Sequence, residues 1–297
     1  MASGFQVSHA TRGARGMRDI LHRQIETALG ELPLGRATDE QIHRARKDMK
    51  AARATLRLLR PLLSKAAYQR ENHALRDAAR ALSAARDDTV LVKSLDELSQ
   101  QMHGSGKRRR LAAFAARLRR EAGRRRSELE RHGLRQSAAR LRSAVAMAES
   151  WPVPADDWKP VYRSLCESYR KGRRCAQGNK RQASGPTLHE WRKRAKYLRN
   201  QLEVIAPVQH ASVEAMSAQL HELSDHLGDE HDLAVLGELA ERSAAQVGRK
   251  ADAALRKLIK KRRRKLCKRA LAVGLPVYAE KPTHFETRLR QYFRQWA

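Results

Sequence analysis

The amino-acid sequence predicts an all-α protein that contains two copies of one helical unit. Three observations support this prediction. Leucine, alanine and arginine dominate the composition, whereas aromatic residues make up only 5% of the chain. Runs of β-branched residues, which favour strands, are missing. A pattern of one histidine followed by basic residues also occurs twice, once at position 43 and again at position 189.

Short segments that contain glycine and proline separate the predicted helices. These breaks lie at residues 32–35, 103–106, 151–154, 178–186 and 274–276. Glycine and proline are the residues that most strongly interrupt helices. Long helices joined by short connections are typical of antiparallel helix bundles. The break at 151–154 lies near the middle of the chain and separates the two copies.

The repeat is defined by a histidine and by basic residues at the third, fourth, seventh and tenth positions after it. The first copy contains His43, Arg46, Lys47, Lys50 and Arg53, and the second copy contains His189, Arg192, Lys193, Lys196 and Arg199. A proline follows both copies in the same register, Pro61 in the first and Pro207 in the second. Asp87 and Asp232 match further along the chain. We interpret these matches as a duplicated helical unit.

Each repeated segment predicts a helix with one apolar face and one basic face. At about 100° per residue, the basic side chains fall within an arc of roughly 120°, and the apolar side chains lie opposite. Thr38 and Gln41 have capping-box spacing before the first of these helices, and Thr187 and Glu190 have it in the second. Like charges four residues apart destabilise a helix by ~0.2–0.5 kcal/mol per pair. Such pairs occur at the same positions in both copies, which favours a bound anion over a merely solvated face.

The net charge also indicates an anionic partner. The chain has 62 lysine and arginine residues against 32 acidic residues, which gives a net charge of +30. So large an excess repels itself in the folded state and is typical of proteins that bind a polyanion. DNA, RNA, an anionic membrane surface and polyphosphate are the candidates, and charge alone does not choose among them. The basic runs at 107–110, 124–126 and 260–265 either extend an anion path or bind nucleic acid without specificity.

The sequence also indicates the compartment. No segment approaches the roughly 20 consecutive apolar residues of a membrane span. Residues 1–12 lack the apolar core of a signal peptide. Cys166, Cys175 and Cys267 are odd in number and have no close metal-ligand spacing, so we expect free thiols in a reducing compartment. These features predict a cytoplasmic protein.

Motifs for catalysis are missing from the sequence. It contains no glycine-rich phosphate loop, no nucleophile elbow and no paired-carboxylate motif. Histidine and carboxylate residues are densest at 221–232, where contacts between helices are a better interpretation than a metal site. His43 and His189 are surrounded by cations that would repel a metal ion. We therefore expect a binding protein, not an enzyme, with no cofactor and no metal.

The repeated motif resembles a known family. The His-x-x-Arg-Lys-x-x-Lys-x-x-Arg pattern at 43–53 and 189–199 is similar to that of the conserved-histidine α-helical domain, called CHAD. The segments 86–91 and 231–236 carry the same resemblance, with His231 in place of the arginine at position 86. The resemblance covers residues 9–297, which we therefore interpret as a single domain.

This resemblance implies two four-helix bundles related by a pseudo-twofold axis, formed by 9–150 and 151–297. It also implies basic surfaces that bind inorganic polyphosphate, and association with polyphosphate granules. The residues implied to bind polyphosphate are Arg15, Arg18, His43, Arg46, Lys47, Lys50, Arg53, Arg57, Arg170, Arg173, Arg174, His189, Arg192, Lys193, Lys196 and Arg199. In the second copy, Glu203 occupies the position that corresponds to Arg57, so the two rows differ at that end. Polyphosphate binding is the leading hypothesis, and non-specific binding of nucleic acid is the alternative.

Overall fold

The structure is a computed structural model of the 297-residue chain, and it describes residues 5–11, 13–33, 36–82, 84–149, 151 and 157–296. Throughout these residues the regular structure is helical, which confirms the predicted all-α fold. The helices are α1 (Gly13–Gly30), α2 (Asp39–Leu58), α3 (Lys65–Ala81), α4 (Ala84–Gln100), α5 (Ser105–Glu128), α6 (Leu134–Glu149), α7 (Lys159–Arg181), α8 (Gly185–Ile205), α9 (His210–Arg242), α10 (Ala244–Val247), α11 (Arg249–Val277) and α12 (Pro282–Trp296). No helix of this described part is both long enough and apolar enough to cross a membrane.

The two helices that carry the repeated motif begin with side-chain caps. At the start of α2, the Thr38 hydroxyl accepts a hydrogen bond from the Gln41 amide at 3.1 Å, as the capping-box spacing predicts. At the start of α8 the cap is Ser184, so the predicted pairing of Thr187 with Glu190 is wrong. The helix begins at Gly185, one residue before Pro186. Proline is tolerated in the first turn because the N–H that it lacks would have no partner inside the helix. Thr187 is therefore the third residue of the helix and completes the capping box.

The repeated prolines lie directly after the two motif helices. Pro61 lies in a 3₁₀ turn, Arg60–Leu62, that follows α2, and Pro207 lies in a similar turn, Ala206–Gln209, that follows α8. Both motif helices therefore end just before the repeated proline. The predicted break at 274–276 is displaced, because α11 continues to Val277 and includes Pro276 in its last turn. A proline there removes only one terminal hydrogen bond of the helix.

The helices pack as two groups that meet along α2, α7 and α8. Helices α1, α2, α3 and α6 pack together in the first half, and α7, α8, α9 and α11 pack together in the second. The main hydrophobic core runs through both groups, from Met17 and Leu56 to Trp191 and Phe285. The internal repeat and the division into 9–150 and 151–297 remain predictions from the sequence.

A hairpin from the first half crosses to the second half. Helices α4 and α5 pack against α9 and α11. Together they form a separate core that includes Leu95, Phe114, Leu236 and Leu255. The N-terminal part of α9 contributes to the main core and its C-terminal part contributes to this second one. The side chain of Asp87, which the sequence matches with Asp232, lies outside the described part of α4.

The two motif helices lie side by side. The Gln201 side-chain amide of α8 donates a hydrogen bond to the Ala54 carbonyl of α2 at 3.5 Å, and both residues are fully buried. Further along, the guanidinium of Arg57 lies 3.7 Å from the ring centroid of Tyr197. Because α2 and α8 are in direct contact, their basic faces border one continuous surface.

Candidate anion-binding groove

The basic faces of α2 and α8 border a groove, which we call the α2–α8 groove. It consists of two adjoining cavities of about 480 and 650 Å³ that share many lining residues. Nine residues predicted from the sequence line it: His43, Arg46, Lys47, Lys50 and Arg53 from α2, and Arg192, Lys193, Lys196 and Arg199 from α8. The structure therefore brings most of the two repeated motifs together at one place.

Lys196 is a desolvated lysine in the groove. Burial, together with the nearby charges of Arg192, Lys50 and Arg199, lowers the pKa of its ammonium to about 7. Asp225 is the carboxylate that acts in the opposite direction. A lysine normally has a pKa near 10.4. Burial first, and the neighbouring cations second, thus leave Lys196 only partly protonated at neutral pH in the free groove.

Arg46 has a structural contact in addition to its place in the groove. It is 9% exposed, and its guanidinium donates a hydrogen bond to the Leu82 carbonyl at 3.0 Å. Leu82 directly follows α3, so this bond joins α2 to the end of the neighbouring helix. The neighbouring residues of the motif, Lys47 and Lys50, are exposed. Among the first-copy residues, these lysines are the better probes of anion binding.

Carboxylates also line the groove, although the sequence pattern did not place them there. Asp225 and Asp232 line both of its cavities, and Asp48 and Glu203 line the larger one. Burial raises the pKa of Asp48 to about 6, which Lys47 partly opposes. Glu203 lies 3.2 Å from the Nε of Arg199, four residues earlier in α8. The pairing of Arg199 with Glu203 could be predicted from their four-residue spacing on one helix. The approach of Asp225 from α9 could not, because it depends on tertiary packing.

The two motif histidines lie in different surroundings. His43 lines the larger cavity of the groove, but His189 does not line the groove. Its ring lies 4.5 Å, between centroids, from the ring of His231 in α9. Burial lowers the pKa of His189, and His231 lowers it further. The structure therefore pairs His189 with His231, and His231 itself lines the smaller cavity of the groove.

Arg57 faces a different cavity. This α3–α7 cavity, of about 700 Å³, lies at the C-terminal end of α2 and is bordered by α3, α7 and α8, with Arg57, Arg60, Arg76 and Arg163 among its lining residues. Arg57 donates a hydrogen bond to the Arg53 carbonyl at 2.6 Å, and burial lowers its pKa. It is held against Tyr197, which lines both this cavity and the smaller cavity of the groove.

The remaining predicted residues lie outside the groove. Arg18 donates to the Trp151 carbonyl at 3.4 Å, and Arg173 donates to the Tyr278 carbonyl at 3.1 Å, so both hold neighbouring segments. Arg170 is paired with Glu167. Arg15 and Arg174 are exposed and do not line either cavity of the groove as described. The structure does not bring these five arginines to the two basic rows.

Residues of the types that could bind a metal ion are not clustered in the described part of the chain. No group of three or more histidine, cysteine or acidic side chains with suitable geometry occurs there. The three cysteines, Cys166, Cys175 and Cys267, are free thiols. Eight lysine and arginine side chains line the groove, against four carboxylates, and such an excess of cations binds anions and repels metal ions.

Comparison with known proteins identifies the family. The family model of the CHAD domain matches residues 19–241. The fold is similar to the crystal structure of the CHAD domain from the plant Ricinus communis, with 16% identity, a TM-score of 0.67 and coverage of 94% of this chain and 96% of that chain. It is also similar to PptA from Streptomyces chartreusis, with 16% identity, a TM-score of 0.66 and coverage of 91% and 100%. No curated protein has significant sequence similarity to the chain.

These two structural relatives establish only that the fold is shared, because their sequence identity to the chain is low. The family model adds the sequence-level match, and its 19–241 span includes both motif helices and most of α9. The chain therefore belongs to the CHAD domain family.

Proposed function

We propose that the protein binds inorganic polyphosphate in the α2–α8 groove. The observation that carries this proposal is the convergence of both basic rows on one groove, where Lys196 is desolvated among other cations. A bound anion would remove this repulsion and favour the protonated form of Lys196. The CHAD family is known for its association with polyphosphate, which supports the choice of anion.

The proposed mechanism is electrostatic. Lysine and arginine side chains replace the counterions around the phosphate chain, so affinity falls steeply as salt is added. Arginine can hold two phosphate oxygens at once, whereas lysine acts as a point charge. A helix presents one turn about every 5.4 Å. The two rows therefore offer a regular series of cations to a linear chain that carries charge along its whole length.

The shape of the groove supports a thin chain over a nucleic acid duplex. Its cavities, of about 480 and 650 Å³, lie between two helices that are in direct contact. A B-DNA duplex has two charged strands, and proteins that read it place an element in one of its grooves. The basic rows of α2 and α8 form the walls of a depression instead. Single-stranded RNA remains the relevant competitor.

A competition experiment tests the proposal. Labelled long-chain polyphosphate is bound to the protein near 150 mM salt, a physiological ionic strength. Unlabelled polyphosphate, duplex DNA and single-stranded RNA are then added at matched phosphate concentration. We expect polyphosphate to compete most strongly. Equal or stronger competition by DNA or RNA would favour the alternative, a nucleic-acid-binding protein.

Matched variants locate the site. The K47A/K50A variant removes two exposed charges of the groove. The R108A/R109A variant removes two exposed charges of α5 that belong to neither repeated motif. We expect the first variant to lose about tenfold or more in affinity and to flatten the salt dependence by roughly one unit of slope per lost contact. The second should change little. Equal losses would mean that the protein responds to net charge alone.

We also propose that the protein binds polyphosphate without converting it. The groove has eight lysine and arginine side chains against four carboxylates, and this excess of cations would repel the Mg²⁺ that phosphoryl transfer requires. We expect purified protein to release no phosphate from polyphosphate or nucleoside triphosphates, with or without a divalent metal. Turnover that a K47A/K50A change abolishes would contradict this expectation.

The proposed location is the cytoplasm, with polyphosphate granules as the site of accumulation. This follows from the proposed ligand, since long polyphosphate chains concentrate many binding sites in one particle. A fluorescent fusion of the protein should colocalise with a polyphosphate stain. The K47A/K50A variant should remain diffuse, whereas R108A/R109A should colocalise like the unaltered protein.

A further inference from the structure

The α3–α7 cavity is strongly basic. Eight cationic side chains and two carboxylates line it, whereas the larger cavity of the α2–α8 groove has four carboxylates among its lining residues. Five of the eight cations, Arg60, Arg76, Arg163, Lys171 and Arg194, are not among the residues predicted from the sequence to bind the anion. The sequence pattern therefore gave no reason to group them.

The two carboxylates of the α3–α7 cavity are already shared between cations. Glu190 lies 2.6 Å from Lys193 and 2.5 Å from Arg194. Glu167 contacts Arg170 and lies 3.2 Å from Lys171. These pairs leave the cavity with a large excess of positive charge. An anion is the ligand that such a cavity can bind most favourably.

Two arginines of the cavity are available for a ligand. Arg60 and Arg163 are exposed, and neither has a carboxylate partner within ion-pair distance among the described side chains. Arg60 extends from the 3₁₀ turn after α2, and Arg163 extends from the first turns of α7. The two side chains therefore come from opposite halves of the chain, like the two rows of the groove.

The cavity and the groove share part of their walls. Arg53, Lys193 and Tyr197 line both of them. The amide oxygen of Asn72 accepts hydrogen bonds from Arg53 at 3.2 Å and from Arg57 at 3.4 Å. This shared acceptor fixes both guanidiniums at the boundary. Arg53 is thus oriented where a chain that leaves the groove would enter the cavity.

We propose that the anion path continues from the α2–α8 groove past Arg53 and Lys193 into the α3–α7 cavity, so that one long polyphosphate chain occupies both. This inference rests on the proposed function and adds the length of chain that the protein recognises. From His43 to Arg57 the axis of α2 extends about 21 Å at 1.5 Å per residue, so tripolyphosphate is too short to span the path. Affinity should therefore rise with chain length until both cavities are filled.

The test compares two ligands on three proteins. Tripolyphosphate and long-chain polyphosphate are titrated, in the presence of several salt concentrations, into the unaltered protein, R60A/R163A and the control R108A/R109A. We expect R60A/R163A to lose about tenfold or more in affinity for the long chain, and about one unit of salt slope per lost contact. The gain in affinity from the short to the long ligand should shrink in this variant and stay unchanged in the control. Equal thermal midpoints would show that all three proteins are folded.

The outcomes separate this inference from the proposed function. If K47A/K50A weakens long-chain binding while R60A/R163A behaves like the control, the path ends at the groove and the inference is overturned. If the unaltered protein prefers nucleic acid to polyphosphate, the proposed function itself is wrong. If R60A/R163A and the control lose affinity equally, the cavity contributes only net charge, which also overturns the inference.

Discussion

At the residue scale, Lys196 connects anion binding to protonation. In the free protein its pKa is about 7, because burial and the neighbouring cations disfavour the ammonium. A phosphate chain in the groove would favour the ammonium and raise the pKa. Below about pH 7 the lysine is already protonated, so binding takes up no proton there. Above pH 7 binding requires a proton, and affinity should fall as the pH rises.

This linkage predicts a pH-dependent affinity that depends on one side chain. We expect long-chain polyphosphate to bind progressively more weakly between about pH 7 and pH 9, with proton uptake measurable by calorimetry in buffers of different ionisation enthalpy. A K196M variant should bind more weakly at pH 6.5 and should show a flatter pH profile. Proton uptake that is the same in K196M would show that another group is responsible.

The same residue should limit the stability of the free protein. A group whose folded pKa is lowered leaves the unfolded chain with more bound protons between about pH 7 and pH 10.4, so its contribution to stability rises with pH across that window. An apolar side chain of similar size avoids the desolvation penalty that the ammonium of Lys196 bears in the folded state. We expect K196M to raise the thermal midpoint, more at pH 6 than at pH 9. An equal change at both pH values would contradict the assigned protonation.

Arg46 differs from the other residues of its row, because its guanidinium bonds the Leu82 carbonyl in a buried position. Loss of a hydrogen bond from a charged group leaves a buried acceptor without that partner and costs about 1–3 kcal/mol. We expect R46A to lower the thermal midpoint of the free protein, whereas K47A/K50A leaves it unchanged or slightly higher. Equal midpoints for R46A and K47A/K50A would mean that the bond to Leu82 contributes nothing to stability.

At the element scale, the pairing of α2 with α8 creates the groove. Ala54 is fully buried, and its carbonyl accepts the hydrogen bond from Gln201. On the other side of α8, a Cβ added at Gly274 of α11 would lie only 2.4 Å from the Trp191 ring, so α11 approaches α8 closely there. Helix α8 is held mainly by α9, α7 and α2, against which it packs. The spacing of the basic rows follows from this fixed position.

A wedge between the helices should therefore weaken binding without changing the charge. We expect A54L to overpack the buried contact, at a cost of about 1–3 kcal/mol, and to displace α2 from α8. Long-chain affinity should fall and the thermal midpoint should decrease. Ala112 is exposed on α5, so A112L adds the same side chain without disturbing a buried contact and serves as the control. Unchanged affinity in a destabilised A54L protein would show that the spacing of α2 and α8 is not critical.

At the scale of the whole molecule, the net charge of +30 opposes folding through self-repulsion. Salt screens this repulsion, but salt also competes with the ligand for the same side chains. We expect added salt to raise the thermal midpoint of the free protein. Long-chain polyphosphate at low salt should raise it further at far lower concentration, because a ligand that binds only the folded state stabilises that state. A stabilisation that depends on ionic strength alone would argue against a specific site.

Much of this protein is predictable from the sequence because the relevant properties are local. A helix fixes which residues share a face through its 3.6-residue period, so the apolar and basic faces of α2 and α8 follow from the order of residues alone. The cap at Thr38 and the ends near Pro61 and Pro207 are local for the same reason. The all-α fold and the resemblance to the CHAD family rest on these patterns.

Tertiary structure decided how the faces meet, since packing depends on elements that are distant in the chain. It placed α2 against α8 and brought His189 of α8 next to His231 of α9. It also turned Arg57 toward Tyr197 and grouped Arg60 with Arg163 in a second cavity. A linear pattern specifies the charge that each helix carries. Which side chains from other helices bury that charge, or oppose it with a charge of their own, is determined only when the helices pack.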